Sequence, residues 1–262
     1  MKDVPAVPTR AAGAMLAVAL LGLSATPARA EYALVAVAAN FAEVIEDLKP
    51  VFERPSGHRL EATTGSTGKL YAQIKAGAPF HILLSADAKT PARLEAEGAA
   101  VAGTRFAYAI GRLTLWSSDP GRITRDGGTD LAADDVRHIA IANPDLAPYG
   151  SAAREALKSL GLWDTLQGKI VMGQNIGQTH SMVATGNAQI GFVALCAVLS
   201  PRAPAKGSRW DVPQHLYAPI RQDAILLQAG AGNEAARAFL GFLKSAQARR
   251  IIERYGYGLE QP

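Results

Sequence analysis

Cysteine is nearly absent from this chain, and so are the residue groupings that build disulfide scaffolds and metal centres. Among 262 residues there is one cysteine, Cys196, so no intramolecular disulfide can form. Cys196 stands between Val193 and Leu199, and we interpret it as a small buried apolar residue. A catalytic thiol needs an electropositive, partly exposed setting, and the neighbouring residues give no sign of one. Nor does metal-ligand spacing connect the five histidines: His58, His81, His138, His180 and His215.

The motifs of nucleotide binding and of common hydrolases are missing too. A nucleotide P-loop needs G-x-x-x-x-G-K-[ST], whereas only two residues separate Gly65 from Gly68, and Leu70 follows Lys69. The sequence has no G-x-S-x-G elbow and no H-E-x-x-H pair, so a hydrolase that uses Ser or His has no motif in its favour. A P-loop is therefore excluded, and an extracytoplasmic hydrolase stays as the weaker alternative.

The N-terminal region has an apolar stretch, but one too short for a membrane span. The stretch covers 11–23 and falls short of the roughly 20 residues that a bilayer crossing needs. Basic residues precede it, and Ala28-Arg29-Ala30 follows it as a small-x-small cleavage signal. This pattern predicts a signal peptide over residues 1–30, cleaved after Ala30, and a periplasmic location for the mature chain. No cysteine lies near the cleavage site, which argues against a lipid anchor.

A large charge of either sign is absent from the predicted mature chain. Removal of residues 1–30 takes away three of the 27 basic residues and one of the 23 acidic residues, which leaves 24 and 22. This balance gives no support to nucleic-acid binding, and we predict no nucleic-acid partner. The remaining length, about 230 residues, fits one large domain or two small lobes.

What the chain does have is a small-residue loop before a helical pattern, within residues 63–87. Gly65-Ser66-Thr67-Gly68 lies between a β-like run and that helix. The first turn of a helix carries unpaired backbone NH groups and a partial positive charge, so it forms an anion site when a loop brings a ligand close. An ordinary strand-turn-helix with glycine and serine as turn formers explains the same residues. Taken alone, this loop leaves both interpretations open.

A second junction of this kind lies upstream. Residues 34–39 have the pattern of a buried strand that runs into Asn40, and Glu43 follows three residues later. Asn at the N-cap and Glu at N3 form a capping-box pattern, which predicts that Asn40 caps a helix over 41–52. In an open α/β sheet both junctions would lie at the carboxyl ends of strands, where ligands bind. Their pairing therefore favours a ligand site at this edge of the sheet.

Strand and helix patterns alternate along the chain. This alternation argues for an α/β fold of parallel sheets with helices on both faces. Residues 200–212, rich in Pro, Gly and basic residues, are predicted to form a flexible surface loop. The predicted strands lie near 33–39, 59–63, 80–84, 107–116, 138–142, 170–172, 189–194 and 218–227. The predicted helices lie near 41–52, 67–76, 90–97, 130–135, 150–160, 178–185 and 234–254.

Seven segments match, in order, the motifs of a known family. They are AANF (38–41), GSTGKLYAQIKAGAP (65–79), SAD (85–87), ANPDLAPYG (142–150), NIGQTHSMVATG (175–186), GFVAL (191–195) and ERYGYGL (253–259). Through them the sequence resembles the periplasmic molybdate-binding proteins of ABC transporters over nearly the whole mature chain. The resemblance implies a type II periplasmic binding fold, with mixed sheets, helices on both faces and a ligand between two lobes. We place one lobe at 31–108 plus 220–262 and the other at 109–219.

The resemblance implies that the protein captures molybdate, and tungstate as well, and delivers the ion to the membrane permease of an ABC transporter. Such a protein is a monomer and not an enzyme. It has no cofactor and no direct ligand for a metal cation, because the metal arrives as the oxyanion. Sulfate, phosphate or another small anion stays open as the ligand, although the motifs favour molybdate and tungstate. A ferric-ion binder would need a tyrosine cluster, whereas we interpret Tyr255 and Tyr257 as packing residues.

The family's binding positions fall on four residues of this sequence. In the first lobe the resemblance places Thr67 at the main hydroxyl position and Asn40 at the other position. In the second lobe it selects Tyr149 and Ile176, which are expected to donate through backbone NH groups at helix starts. For Ile176, an ordinary core residue is the alternative interpretation. Two further oxyanion-binding candidates flank these positions: Ala39 and Ser66.

One position departs from the family pattern. Some members present a tyrosine hydroxyl after G-[IF]-V, and here that position is Ala194. Other members have Asn in the AANF position, so Asn40 is expected to replace the missing donor. Lys69 is the nearest cation and is interpreted as a solvated helix residue. His180, within the NIGQTHS segment, is expected to support the site from behind.

Overall fold

The computed structural model describes residues 1–3, 30–124, 126–202 and 206–260. Most of the predicted signal peptide, residues 4–29, lies outside these ranges, so it stays a prediction. The strands are β1 (Tyr32–Ala38), β2 (Arg59–Gly65), β3 (Ile82–Leu84), β4 (Phe106–Gly111), β5 (Leu113–Ser117), β6 (Ile139–Ala142), β7 (Ile170–Gly173), β8 (Ile190–Ala194), β9 (Ser208–Asp211) and β10 (Ile220–Leu226). They form two five-stranded sheets, with the orders β2-β1-β3-β10-β4 and β7-β6-β8-β5-β9.

Helices connect most of these strands. They are α1 (Ala42–Ser56), α2 (Thr67–Lys75), α3 (Lys89–Ala96), α4 (Gly127–Ala132), α5 (Pro148–Ser159), α6 (Trp163–Leu166), α7 (Ile176–Ala184), α8 (Leu195–Val198), α9 (Glu234–Leu243) and α10 (Ala246–Arg254). No helix within the described ranges combines the length and apolar character that crossing a bilayer requires.

Strand β1 illustrates how both faces of the first sheet are buried. Val35 and Val37 belong to the main hydrophobic core, together with residues of α1 and α9. Ala36, one step out of phase, packs in a separate core with Leu70 of α2 and Leu94 of α3. Because successive residues of a strand point to opposite faces, a strand covered on both faces must be apolar throughout. This explains the unbroken apolar run in the sequence of β1.

The second sheet is covered in the same way. Ala140 of β6 and Val193 of β8 form a core with Val183 of α7. Ile141, the neighbour of Ala140, belongs to the main core together with Ala153 of α5. Helices α5 and α7 therefore cover opposite faces of this sheet, and each follows one of its parallel strands.

The chain passes between the two sheets twice. Strand β4 belongs to the first sheet and β5 to the second, with only Arg112 between them. The return runs over 212–219, between β9 and β10. We call the half built on the first sheet the first lobe and the other half the second lobe. The predicted boundaries at 108/109 and 219/220 stay predictions, although strand pairing continues in β4 a little beyond the first of them.

Several predicted elements differ from the observed ones. The alternation alone predicted parallel sheets, but the sheets are mixed, as the family resemblance implied, because β5 and β10 run antiparallel to their neighbours. The pattern at 107–116 is two strands, since the chain enters the other sheet at Arg112. The pattern at 234–254 is two helices, and the Ser245 side chain caps the second of them. Part of the loop predicted at 200–212 is strand β9, because β5 offers it an edge for pairing.

Candidate functional site

A small cavity lies between the lobes, where four strands each lead into a helical start. Strands β1 and β2 end there in the first lobe, and β6 and β7 in the second. The cavity is small, and the centre of a water-sized sphere can move through about 10 Å³ of it. Twelve residues line it: Ala38, Ala39, Asn40, Gly65, Ser66, Thr67, Ala86, Ala147, Pro148, Tyr149, Asn175 and Ile176. The structure therefore brings together all six sequence-predicted site residues: Ala39, Asn40, Ser66, Thr67, Tyr149 and Ile176.

The junction between β2 and α2 places two hydroxyl groups at the cavity. Ser66 is the N-cap of α2, and its Oγ accepts a hydrogen bond from the Lys69 NH at 3.4 Å. Thr67 Oγ1 accepts one from the Ala86 NH at 3.1 Å. Both hydroxyls act only as acceptors in these bonds, so each keeps its proton for a further acceptor. Both residues are buried, and each can donate into the cavity.

The junction after β1 differs from the capping-box prediction, which is wrong. Asn40 lies in a 3-10 turn over Ala39–Phe41, and α1 begins at Ala42 without a side-chain cap. Glu43 accepts a hydrogen bond from the Ser200 hydroxyl of the second lobe. The 3-10 turn puts Asn40 one turn before α1, so its side chain is free to bond with distant residues instead.

Those distant partners hold Asn40 in the interior. Its Nδ2 donates to Gln222 Oε1 at 2.9 Å and to Tyr257 Oη at 2.8 Å. The Tyr257 hydroxyl also reaches the Asn40 carbonyl oxygen at 3.0 Å. In contrast, Asn40 Oδ1 is buried and has no hydrogen-bond partner among the described residues. Tyr257, expected to be a packing residue, is therefore also a polar partner of the cavity wall.

The second lobe contributes the starts of two helices. Helix α5 begins at Pro148, which has no NH, so Tyr149 provides the first NH of this helix. Helix α7 begins at Ile176 after Asn175, whose Oδ1 accepts a hydrogen bond from the Gln178 NH at 2.9 Å. Neither the Tyr149 NH nor the Ile176 NH donates elsewhere within the described chain. Ile176 also belongs to the hydrophobic core, so its side chain packs while its backbone faces the cavity.

The electrostatic field of the cavity comes from backbone groups. None of the twelve lining residues carries a charge. Lys69, the nearest cation in sequence, is exposed and does not line the cavity, as predicted. The first residues of α2, α5 and α7 line the cavity, so unpaired NH groups and the positive ends of these helix dipoles lie at its wall. Such a site attracts an anion and fixes the positions of its donors.

Direct contacts join the two lobes. Beside the cavity, the Gly68 NH of the first lobe donates to the Leu146 carbonyl of the second at 2.9 Å. Arg202 of the second lobe forms an ion pair with Asp47 of the first at 3.1 Å. These contacts hold the lobes in a closed arrangement.

Cys196 takes part in the closure and is more than an apolar filler. Its Sγ lies 3.1 Å from Tyr257 Oη and 3.4 Å from the Asn40 carbonyl oxygen, so the thiol bonds across the lobe interface. Burial raises the pKa of the Cys196 thiol to about 12, which keeps it protonated and unreactive. The prediction that Cys196 is buried is confirmed, but its surroundings are partly polar.

His180 and Ala194 lie behind the site. They line a groove on the far side of Asn40 and do not line the cavity itself. The His180 ring stacks on Trp116 with a centroid separation of 4.8 Å. Burial lowers the pKa of His180, so its imidazole is neutral at pH 7. Ala194 leaves room in this groove where a larger side chain would stand.

Sequence reasoning missed part of the site. Ala86 lies within the SAD segment, but its backbone NH was not assigned a contact with Thr67. Asn175 carries the usual signal of an N-cap residue before a helix. Gln222 gave no signal beyond a polar residue in an apolar strand, because its role depends on partners that are distant in sequence.

Comparison with known proteins agrees with this arrangement. The model of the bacterial extracellular solute-binding protein family matches residues 33–258. The molybdate-binding protein ModA of Azotobacter vinelandii is 48% identical over 91% of this chain and 94% of its own length. ModA of Rhodobacter capsulatus is 46% identical over 96% of this chain and 98% of its own length.

A solved structure extends the similarity to the fold. The periplasmic molybdate-binding protein of Azotobacter vinelandii matches with a TM-score of 0.84 and 42% identity, over 87% of this chain and 100% of that one. Both the sequence and the two-lobed architecture are therefore shared along nearly the full length. The chain belongs to the bacterial extracellular solute-binding protein family, with the type II periplasmic binding fold.

Proposed function

We propose that this protein captures molybdate, and tungstate as well, and delivers the ion to the membrane permease of an ABC transporter. The observation that carries the proposal is the uncharged cavity at which four helical starts converge. The two relatives that share almost half of its residues are both molybdate-binding proteins.

The cavity suits a small oxyanion in size. The centre of a water-sized sphere can move through only about 10 Å³ of it, far below the roughly 300–1,000 Å³ of sites that hold drug-sized molecules. An organic metabolite would need a larger opening between the lobes. A tetrahedral dianion, by contrast, can be surrounded by donors on all sides.

The donors provide affinity without a charged side chain. We assign direct contacts to the hydroxyl of Thr67, the amide of Asn40 and the backbone NH groups of Tyr149 and Ile176. A hydrogen bond to a charged group contributes about 1.5 to 3 kcal/mol, so several together bind a dianion tightly after its desolvation. Two flanking residues are additional candidates: Ala39 and Ser66.

Neutral donors also serve selectivity and release. Fixed backbone donors set the radius of the cavity, so a larger oxyanion is distinguished from sulfate by fit and not by charge. Without a lysine or arginine at the ion, opening of the lobes is enough to expose it to a membrane partner.

The lining favours binding over hydrolysis. Apart from the Tyr149 phenol, the hydroxyl side chains that line the cavity are those of Ser66 and Thr67. No His, Asp or Glu lines the cavity beside them to act as a base. We therefore assign the protein a transport role, as a monomer in the periplasm that needs no cofactor.

Calorimetric titration of the mature protein tests the proposal. Molybdate and tungstate should bind tightly in a 1:1 complex, and sulfate and phosphate much more weakly. Equal affinity for sulfate would remove the specificity and make the protein a general oxyanion binder. Absence of binding to all four ions would remove the oxyanion function.

A further inference from the structure

A fully buried glutamine connects the candidate site to both lobes. Gln222 lies on β10, where the pairing register with β4 shifts. Its Oε1 is 2.9 Å from Asn40 Nδ2 and 3.1 Å from the Tyr108 hydroxyl. Its Nε2 is 3.2 Å from the Tyr149 hydroxyl, which belongs to the second lobe. One side-chain amide therefore contacts a cavity residue from each lobe.

A glycine leaves the space that the contact between Gln222 and Tyr149 occupies. Gly111 lies beside it on β4, and a Cβ at this position would come within 2.2 Å of the Tyr149 hydroxyl and 2.6 Å of Gln222 Nε2. No other residue type fits there unless both groups move. The phenol of Tyr149 is thus held by the crossing strands, although the expected donor of this residue is its backbone NH.

The orientation of Asn40 conflicts with an anion in the cavity. Its Nδ2 points to Gln222 and Tyr257, and its buried Oδ1 has no partner among the described residues. Of the buried side-chain atoms without a partner in the described chain, this oxygen alone belongs to a residue that lines the cavity. A carbonyl oxygen repels the oxygens of an anion, so the Asn40 side chain in this orientation has no NH left to donate to an ion in the cavity.

A half-turn of two amides removes the conflict and keeps the surrounding contacts. If Gln222 and Asn40 both exchange their N and O positions, Gln222 Nε2 donates to Asn40 Oδ1 and to the Tyr108 hydroxyl. The Tyr108 hydroxyl still donates to the Ser85 carbonyl at 3.0 Å. The Tyr149 hydroxyl donates to Gln222 Oε1. The Asn40 NH₂ group then occupies the position that has no protein partner.

The Tyr257 hydroxyl and the Cys196 thiol adapt to the same change. Tyr257 can donate either to the Asn40 side chain, at 2.8 Å, or to its carbonyl oxygen, at 3.0 Å. When it donates to Asn40 Oδ1, the thiol remains within reach of the carbonyl oxygen at 3.4 Å. The hydroxyl and thiol protons can therefore follow the amides without a change of backbone.

We propose that Gln222 is a positioning residue that turns the Asn40 NH₂ group toward the bound oxyanion and links this orientation to the Tyr149 phenol across the lobe interface. The inference rests on the proposed oxyanion function. Gln222 does not touch the ion, and its effect passes through Asn40. Binding of the anion, the orientation of the Asn40 and Gln222 amides, and the contact of the second lobe with the first through Tyr149 are then coupled.

A double-mutant cycle separates this role from a purely structural one. Gln222→Met keeps the length of the side chain and removes both hydrogen-bonding atoms, so we expect a loss of molybdate affinity of roughly tenfold or more. Asn40→Ala should also lose affinity. If Gln222 acts through Asn40, the double variant binds no more weakly than Asn40→Ala alone.

The controls keep the test decisive. Gln247→Met makes the same change at an exposed position of α10 and should bind like the unchanged protein. If Gln222→Met fails to fold by circular dichroism, Tyr149→Phe removes the other end of the contact without altering β10, and it should lower affinity in the same non-additive way with Asn40→Ala.

The outcomes are distinct. Normal affinity in folded Gln222→Met or Tyr149→Phe, or losses that multiply with Asn40→Ala, would overturn the inference while the proposed function stands. Absence of molybdate and tungstate binding by the unchanged protein would instead contradict the proposed function itself.

Discussion

The contact between Gly68 and Leu146 offers a direct way to disturb closure without touching the ion. In Gly68→Ala the new Cβ would lie 3.1 Å from the Leu146 carbonyl oxygen and 3.2 Å from its Cα, both backbone atoms of the opposite lobe. The lobes must then separate by a few tenths of an ångström. The hydrogen bond from the Gly68 NH to this carbonyl, now 2.9 Å long, would weaken as well.

The expected cost is confined to the closed state. A weakened hydrogen bond costs about 0.5–1.5 kcal/mol, and overpacking costs about 1–3 kcal/mol, so we expect a loss near 2 kcal/mol. This corresponds to a roughly 30-fold weaker Kd for molybdate. Gly68 lies within α2, where alanine is the better helix former, so the ligand-free protein should be as stable as before or more so.

Calorimetry gives the Kd, and thermal melts with and without molybdate give the two stabilities. Gly241→Ala is the matched control, because it lies within α9 with nothing within 4 Å of the added Cβ. Unchanged molybdate affinity in Gly68→Ala would refute the reasoning that ligand binding requires this closed contact. A fall in the stability of the ligand-free protein equal to the fall in binding would refute it too.

Three further predictions concern single residues. Thr67→Ala should weaken molybdate binding by roughly 10- to 100-fold through loss of a donor to a charged ligand, whereas Thr67→Ser should restore most of it; equal calorimetric Kd values for the two variants would exclude the hydroxyl as a donor. Iodoacetamide should alkylate Cys196 roughly 100-fold more slowly, as followed by mass spectrometry, when free molybdate is at 100 times its Kd, because the closed state buries the thiol. Equal alkylation rates with and without molybdate would mean that ligand does not close the lobes. Burial lowers the pKa of His180 below 6.5, with the charge of Glu43 opposing it, so the unfolded chain takes up a proton first as the pH falls below 6.5. The His180 contribution to the free energy of unfolding is then lost toward pH 5, and urea titrations of His180→Asn should show a shallower decline over pH 7 to 5 than the unchanged protein; parallel curves would contradict this.

The strand-to-helix junctions were the most predictable part of the site. The apolar run before Asn40 and the small residues of 65–68 indicated two such junctions from local patterns alone. The junctions before Tyr149 and Ile176 were predicted from the family resemblance, because almost any residue type can donate through its backbone NH and the side chain does not indicate it. All four meet at one cavity, since β1 and β2 are parallel neighbours in one sheet, β6 and β7 are parallel neighbours in the other, and the carboxyl ends of both pairs lie at the cavity.

The features that sequence reasoning missed depend on tertiary partners. Asn is a residue type that favours the N-cap position, yet the Asn40 side chain bonds with Gln222 and Tyr257, which lie 182 and 217 residues away in sequence. Strand β9 forms in a segment rich in Pro, Gly and basic residues only because β5 presents an open edge. The antiparallel direction of β10 likewise follows from the second crossing and not from the residues of the strand.

The central claim is that uncharged donors from both lobes hold an oxyanion in the cavity between them. A crystal structure of the mature protein with tungstate, phased on the anomalous signal of tungsten, tests it most directly. The account predicts one strong peak in the cavity, within hydrogen-bonding distance of the Thr67 hydroxyl, the Asn40 side-chain NH₂ group and the backbone NH groups of Tyr149 and Ile176. A peak elsewhere, or an ion held by a lysine or arginine side chain, would contradict it.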